Sequence, residues 1–261
     1  MQYDYWHRQT PGKPLFEDIE WQKPQTKALA GKLLIIGGNK LGFAAVAQAY
    51  NDALAAGVGE CRAILPDALK SVIDKFAFDC VYVPTNQSGG MSKEALPIIE
   101  ASAAWADAVL LIGDAGRNSE TAIMLEQFLS RTPKPIILTR DAVDLLRTNA
   151  AELLERGKTT FVVSLAQLQK LFQAVYYPKT ILFSLQLSTL VETLHKFTIS
   201  YPVTIVVFHQ NQLVVAHDGQ VSTTAWEEVM MIWRGSVAAK ASVYWLQNLS
   251  KPLEAITTSI A

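Results

Sequence analysis

Short, unbroken apolar runs recur along this chain, each followed by a loop and then by a stretch with helical spacing. Leu33-Leu34-Ile35-Ile36, Ala108 to Ile112, Pro135-Ile136-Ile137-Leu138 and Phe161-Val162-Val163 are too short for buried helices. A strand reads as a continuous apolar run when both of its faces are covered, whereas a half-solvated strand alternates. Runs of this kind alternating with helices imply an α/β fold, a largely parallel sheet flanked by helices. With 261 residues, 50% of them hydrophobic, the chain can bury one such core.

Residues 1–30 carry Pro11, Pro14 and Pro24, which predict an irregular arm that packs through Trp6, Phe16 and Trp21 on the body or on a neighbouring subunit. Residues 31–261 are expected to form a single domain. Its predicted order starts with the glycine loop Gly37 to Gly42 and a helix over 43–56. It continues with a strand at 61–65, a helix over 67–76 and a strand at 81–83. Ser119 is expected to cap a helix reaching Arg131, after the loop Gly113-Asp114-Ala115-Gly116. Ile181-Leu182-Phe183 predicts a further strand. Val203 to Phe208, Leu213 to Ala216 and Gln220 to Ser222 predict a C-terminal antiparallel hairpin and meander, with closing helices from Ala225, Gly235 and Pro252.

The formal net charge of -1, without a Lys/Arg block, gives no reason to invoke nucleic acid or an anionic membrane. No apolar run approaches membrane-spanning length and the first residues do not read as a signal peptide, so a cytoplasmic location is expected. Cys61 and Cys80 read as reduced, buried thiols beside apolar runs. His7 and His195 have no carboxylate or cysteine at ligand spacing, so no protein-ligated metal site is expected. His209 and His217 flank the hairpin and read as exposed turn residues. Asn39 stands where a dinucleotide fingerprint needs glycine, which argues against a Rossmann dehydrogenase.

The order of these segments resembles the ribokinase-like superfold, and within it the nucleotide-dependent NAD(P)H-hydrate dehydratases, over residues 30–261. Ile36-Gly37-Gly38-Asn39-Lys40-Leu41-Gly42-Phe43 is similar to that family's Gly-Gly-Ser loop, a part of its substrate pocket. Ile112-Gly113-Asp114-Ala115-Gly116-Arg117 is similar to its Gly-Pro-Gly-Leu-Gly-Arg, one residue shorter. Leu138-Thr139-Arg140-Asp141-Ala142 resembles the strand ending in Asp-Ala-Asp-Ala, and Pro252-Leu253-Glu254-Ala255 the closing helix.

The departures bear on activity. Val163-Ser164-Leu165-Ala166-Gln167 stands where the family carries Pro-His-Pro-Gly-Glu, and Phe208-His209 where it carries Lys-Gly. The family's Gly-Thr-Gly-Asp turn, which supplies the acid/base, corresponds to Met231-Ile232-Trp233-Arg234-Gly235-Ser236, with no carboxylate. A positioned proton-transfer group typically contributes about 10²–10⁴-fold, so its loss implies weak or no turnover. Glu227 and Glu228 are the nearby carboxylates that would have to substitute.

The resemblance implies a substrate pocket drawing on Gly37, Gly38, Asn39, Lys40, Gly42, Gly113, Asp114, Gly116, Arg117, Asp141 and Ser164, with His209, Arg234 and Gly235 toward a nucleotide. It also implies ATP or ADP with Mg, and a homo-oligomer. Asp141 reads equally as the N-cap of an apolar helix. The leading expectation is a protein that binds a small nucleotide or nicotinamide metabolite with little turnover. The alternatives are an active dehydratase or small-molecule kinase using Glu227 or Glu228, and a ligand-free structural or regulatory subunit whose Trp226, Trp233 and Trp245 serve contacts.

Overall fold

In the computed structural model, which describes residues 3–73 and 78–261, the apolar runs become strands of one ten-stranded sheet. The strands are β1 (Trp6–Gln9), β2 (Lys32–Gly37), β3 (Glu60–Pro66), β4 (Cys80–Val83), β5 (Ala108–Gly113), β6 (Ile136–Thr139), β7 (Thr159–Val163), β8 (Val203–His209), β9 (Gln212–His217) and β10 (Gln220–Ala225). Their order across the sheet is β1-β10-β9-β8-β7-β6-β5-β2-β3-β4. Among the described residues β9 alone opposes its neighbours, pairing antiparallel with both β8 and β10. The helices are α1 (Glu17–Trp21), α2 (Ala44–Ala55), α3 (Leu96–Trp105), α4 (Ser119–Arg131), α5 (Asp141–Leu145) and α6 (Ala150–Glu155). They continue with α7 (Leu165–Ala174), α8 (Leu187–Ser200), α9 (Val229–Arg234), α10 (Ser236–Gln247) and α11 (Pro252–Thr258).

Because side chains alternate along a strand, β2 and β5 divide their apolar residues between two cores. Leu34, Ile36, Val109 and Leu111 join one cluster with Phe128 of α4, Leu168 and Phe172 of α7 and Phe197 of α8. Leu33, Ile35, Leu110 and Ile112 join the other with Val46 of α2, Ala238 and Trp245 of α10 and Ile256 of α11. Each fully buried aliphatic side chain contributes about 1.5–3 kcal/mol relative to exposure, and both faces of the central strands are covered. This is the double coverage that the continuous apolar runs require.

Four local expectations are corrected. The arm is not irregular throughout: Trp6–Gln9 pairs in parallel with β10, whose outer edge would otherwise be open. Trp6 Nε1 donates to Thr223 Oγ1 at 3.0 Å and the buried Gln9 amide to Thr224 and Thr257, while Trp21 stays 79% exposed. Ile181-Leu182-Phe183 forms no strand, because both edges of β7 are already taken by β6 and β8. The helix expected over 67–76 is a single tight turn at Asp67–Leu69, and residues 74–77 of that expectation lie outside the described residues. At α4 the capping side chain is Asn118, accepting from the amides of Glu120 and Thr121, and not Ser119, which lies within the helix.

His217 is half-buried and not an exposed turn residue; its Nδ1 lies 3.0 Å from Thr204 Oγ1. Burial lowers its pKa below the ordinary histidine value, although Asp218 and Glu254 pull the other way. The native state therefore keeps the imidazole neutral while the unfolded chain takes up a proton first. Stability contributed by this residue should be complete above about pH 6.5 and be lost as pH falls through the lowered native value. Denaturant titrations across that range should show the slope, and His217→Gln should flatten it. Phe197, fully buried against Phe172 at a ring separation of 4.4 Å, should cost about 3–5 kcal/mol when replaced by Ala. The exposed Phe183→Ala should stay within about 0.5 kcal/mol in the same unfolding assay.

Candidate binding site at the carboxyl edge of the sheet

Strand order reverses between β2 and β5, the place where an open parallel sheet usually opens a ligand crevice. Here the two loops at that point are bonded to each other. Gly38 N donates to Gly113 O at 2.9 Å, and the Asn39 side-chain amide donates to Asp114 O. The Asp114 carboxylate also accepts from Ala45 N at 3.1 Å, satisfying an amide in the first turn of α2. Gly113 has φ +92, and a Cβ there would lie 2.1 Å from Asp141 Oδ1, which accepts the Asp114 amide at 2.8 Å.

Arg140, the residue after β6, ties this loop to the end of α9. Its guanidinium lies 2.5 Å from Asp114 Oδ1 and donates to the carbonyl of Trp233. Its own carbonyl accepts from the Gln167 side chain at 2.8 Å, and its Nε is buried with no partner among the described residues. Asp114 and Arg140 both hold positive φ, 55° and 56°, each a conformation costing about 1–3 kcal/mol for a residue with a side chain. The contacts around them hold that strain. Between α9 and α10, Gly235 turns with φ +90, and a Cβ would meet Ile112 Cδ1 at 2.4 Å.

The rim is thereby divided into two hollows. One, of about 510 Å³, opens over the ends of β7 and β8 and is lined by Ser164, Phe183, Phe208, His209, Gln210 and Trp233, with Ile232 and Val229 behind. Its walls are mainly apolar, and Phe183 and Trp233 are 81% and 49% exposed at its mouth. The other, of about 480 Å³, is polar and lies among α4, α5 and α7, with Arg117, Asp141, Asp144, Arg147 and Lys170 on its walls. Gln167 stands between the two, donating to both Arg140 O and Asp144 Oδ2 at 2.8 Å. Burial alone would raise the Asp144 pKa, but hydrogen bonds from Lys170 and Gln167 and the nearby Arg117 charge hold it below the usual carboxylate range.

The expected site residues scatter over these features. Ser164 and His209 line the apolar hollow; Gly116, Arg117 and Asp141 line the polar one. Gly37, Gly38, Asn39, Gly113 and Asp114 belong to the bonded loops, and Lys40 is exposed with its amide on Gly89 O. Gly42 closes the Asn39 turn and touches neither hollow. His209 is buried, and not an exposed turn residue, because it ends β8 with Nε2 on the carbonyl of Leu185. Arg234 ends α9, where its charge meets the negative end of the helix favourably, and it lines neither hollow. Asp141 spends its carboxylate on Asp114 N while Arg140 occupies the cap position of α5.

Glu227 and Glu228 are exposed at the opening of α9, about 9 Å of helix from Gly235 at 1.5 Å per residue. Sequence reasoning missed Arg140, Gln167 and Phe183 as site residues, and read Trp233 as serving contacts in a structural subunit. Arg140 had a signal, standing at the carboxyl end of an apolar run; Phe183 had none, since its place depends on the loop before α8.

No protein-family model matches the sequence, and no curated protein matches it either. Solved structures do match. A ribokinase-like superfamily protein from Enterococcus faecalis superposes with a TM-score of 0.72 at 15% identity, covering 98% of this chain and 86% of that one. The ADP/ATP-dependent NAD(P)H-hydrate dehydratase of Bacillus subtilis, co-crystallised with ATP and Mg²⁺, gives 0.63 at 14% identity over 95% and 86%. The same dehydratase soaked with CoA gives 0.61 at 15% identity over the same shares. The fold is ribokinase-like, a mostly parallel sheet flanked by helices with the β9–β10 hairpin near its C-terminus.

Removing the Asp114 carboxylate should leave Arg140 uncompensated and uncap α2. For this partly exposed pair Asp114→Ala is expected to cost about 1–3 kcal/mol, read by chemical denaturation. Asp114→Asn, which preserves the acceptor for Ala45 N, should cost less.

Proposed function

We propose that this protein binds a nucleotide or nicotinamide metabolite in the apolar hollow and turns it over weakly or not at all. The carrying observation is the hollow itself: about 510 Å³ at the carboxyl edge of the sheet, with exposed aromatic rings at its mouth and a few polar groups inside. That lining suits a flat heteroaromatic ring, which stacks on aromatic faces while its edge finds hydrogen-bond partners. Phe183 and Trp233 are the residues to take the ring, with Ser164 and Gln210 at hand for its edge. The occurrence of ATP in a dehydratase of the same fold supports this reading.

The same observations argue against efficient chemistry. The junction of α9 and α10 reads Trp233-Arg234-Gly235-Ser236 and offers no carboxylate. Arg140, held by Asp114 and the Trp233 carbonyl, presents a cation there that cannot act as a base at neutral pH. Glu227 and Glu228 stand at the opposite end of α9 from that junction, and neither lines the hollow. A nucleotide would bring Mg²⁺ through its own phosphates. Among the described residues no cluster of His, Cys, Asp or Glu is disposed to hold a metal by itself.

A thermal-shift panel of ATP, ADP, AMP, NAD and NADPH should show stabilisation by at least one member. A ligand at a hundred times its Kd adds about 2.7 kcal/mol to the folded state. Trp233→Ala should weaken that ligand about tenfold. Incubation with hydrated NADH and ATP or ADP should restore little NADH; robust restoration would overturn the loss of turnover, and a silent panel would overturn binding.

A further inference from the structure

The polar hollow points to a second site, and its chemistry differs from that of the first. Its walls carry three cations, Arg117, Arg147 and Lys170, against two carboxylates, Asp141 and Asp144. Lys170 Nζ sits 2.5 Å from Asp144 Oδ1, so that pair is internally neutral. Asp141 gives one oxygen to the Asp114 amide. Among the described residues neither Arg117 nor Arg147 has a hydrogen bond or an ion pair within 4.0 Å for its guanidinium, although the Arg117 charge is near enough to Asp144 to lower its pKa.

Four of the eight arginines have an acceptor within the chain. Arg62 pairs with Asp79, Arg131 with Glu100 and Arg140 with Asp114. Arg156 donates to the carbonyls of Thr132 and Lys134, and Arg8 lies over the ring of Trp6. Among the described residues Arg8 and Arg234 also lack an acceptor, but Arg117 and Arg147 are the two that line the same hollow, of about 480 Å³. Arg117 is placed there by the positive-φ Gly116 turn, and Arg147 by the tight turn that follows α5. They reach the hollow from elements far apart in the chain.

We infer that the polar hollow binds an oxyanion group, a phosphate or diphosphate ester, between Arg117 and Arg147. A guanidinium presents paired N–H donors that match phosphate oxygens, and two of them offset the charge of a diphosphate. Asp141 and the Asp144–Lys170 pair face the same space and suit the hydroxyl groups of such an ester, since carboxylates accept and the ammonium donates. Gln167, almost fully buried and bonded on both sides, separates this compartment from the apolar hollow. The oxyanion site therefore stands whether or not the apolar hollow takes a nucleotide.

Calorimetry with inorganic pyrophosphate and, separately, with adenosine distinguishes the two compartments. At fixed ionic strength, pyrophosphate should bind the wild type and weaken at least tenfold in the Arg117→Ala/Arg147→Ala double variant. Arg131→Ala, whose guanidinium pairs with Glu100 at the other end of α4, should bind pyrophosphate as the wild type does. All these side chains are exposed, and an unchanged melting temperature of each variant checks that the fold is kept. Pyrophosphate that fails to bind, or that binds the double variant equally, overturns the inference. Adenosine that fails to bind while pyrophosphate binds overturns the nucleotide reading and leaves this site intact. ADP affinity falling with that of pyrophosphate in the double variant would identify the ester as the nucleotide's own; ADP affinity unchanged would identify a separate phosphorylated metabolite.

Discussion

One ion pair organises the functional edge of this molecule. Asp114 and Arg140 sit on adjacent strand ends, each in a backbone conformation that side-chain-bearing residues avoid, and each holds the other there. Through Asp114 the pair reaches the start of α2; through Arg140 it reaches the carbonyl end of α9 and the side chain of Gln167. Three loops that a ligand would otherwise part are thereby fastened together. A pair about a quarter exposed is screened less than a surface bridge, so its loss falls on the loops and not only on the charges.

That fastening changes what a ribokinase-like sheet can do with its rim. A crevice at the reversal of strand order would ordinarily be the place to bind, and here it is filled by backbone and side-chain hydrogen bonds. Space remains on either side of it. Over β7 and β8 the space is apolar and ringed by aromatics; between α4, α5 and α7 it is charged. A single long ligand spanning the reversal would have to break the Asp114–Arg140 pair. The two hollows lie to either side of it, and under the proposed reading a flat group in one and an anionic group in the other would leave it closed.

The sheet was legible in the sequence because its signal is local and strong. Continuous apolar runs such as Leu33–Ile36 and Ala108–Ile112 can be accommodated only by strands covered on both faces, and the meander from Val203 carried its turns in Asn211 and Gly219. What failed was set by distant partners. Ile181–Phe183 has the composition of a strand, yet no sheet edge was free to receive it. Trp6–Gln9 lies among prolines and looked unstructured, yet β10 offered it an edge. The glycine loops were correctly located, but their consequence was not, because whether two loops part or bond depends on which side chain spans them. Asn39 and Asp114 are 75 residues apart, with α2, β3, β4, α3 and β5 between them, and meet only in the fold. His209 was misjudged for the same reason: its burial depends on the carbonyl of Leu185, in a loop whose course the residues do not announce.

The central claim is that a flat ring can enter beside Trp233 while the ion pair behind it stays closed. Tryptophan fluorescence titrated with ADP measures this most directly, with Trp233→Phe as the reference. The account requires saturable quenching in the wild type that disappears in the variant, with the denaturation midpoint rising in step. Emission unchanged to millimolar ADP, or quenching that persists without Trp233, would contradict it.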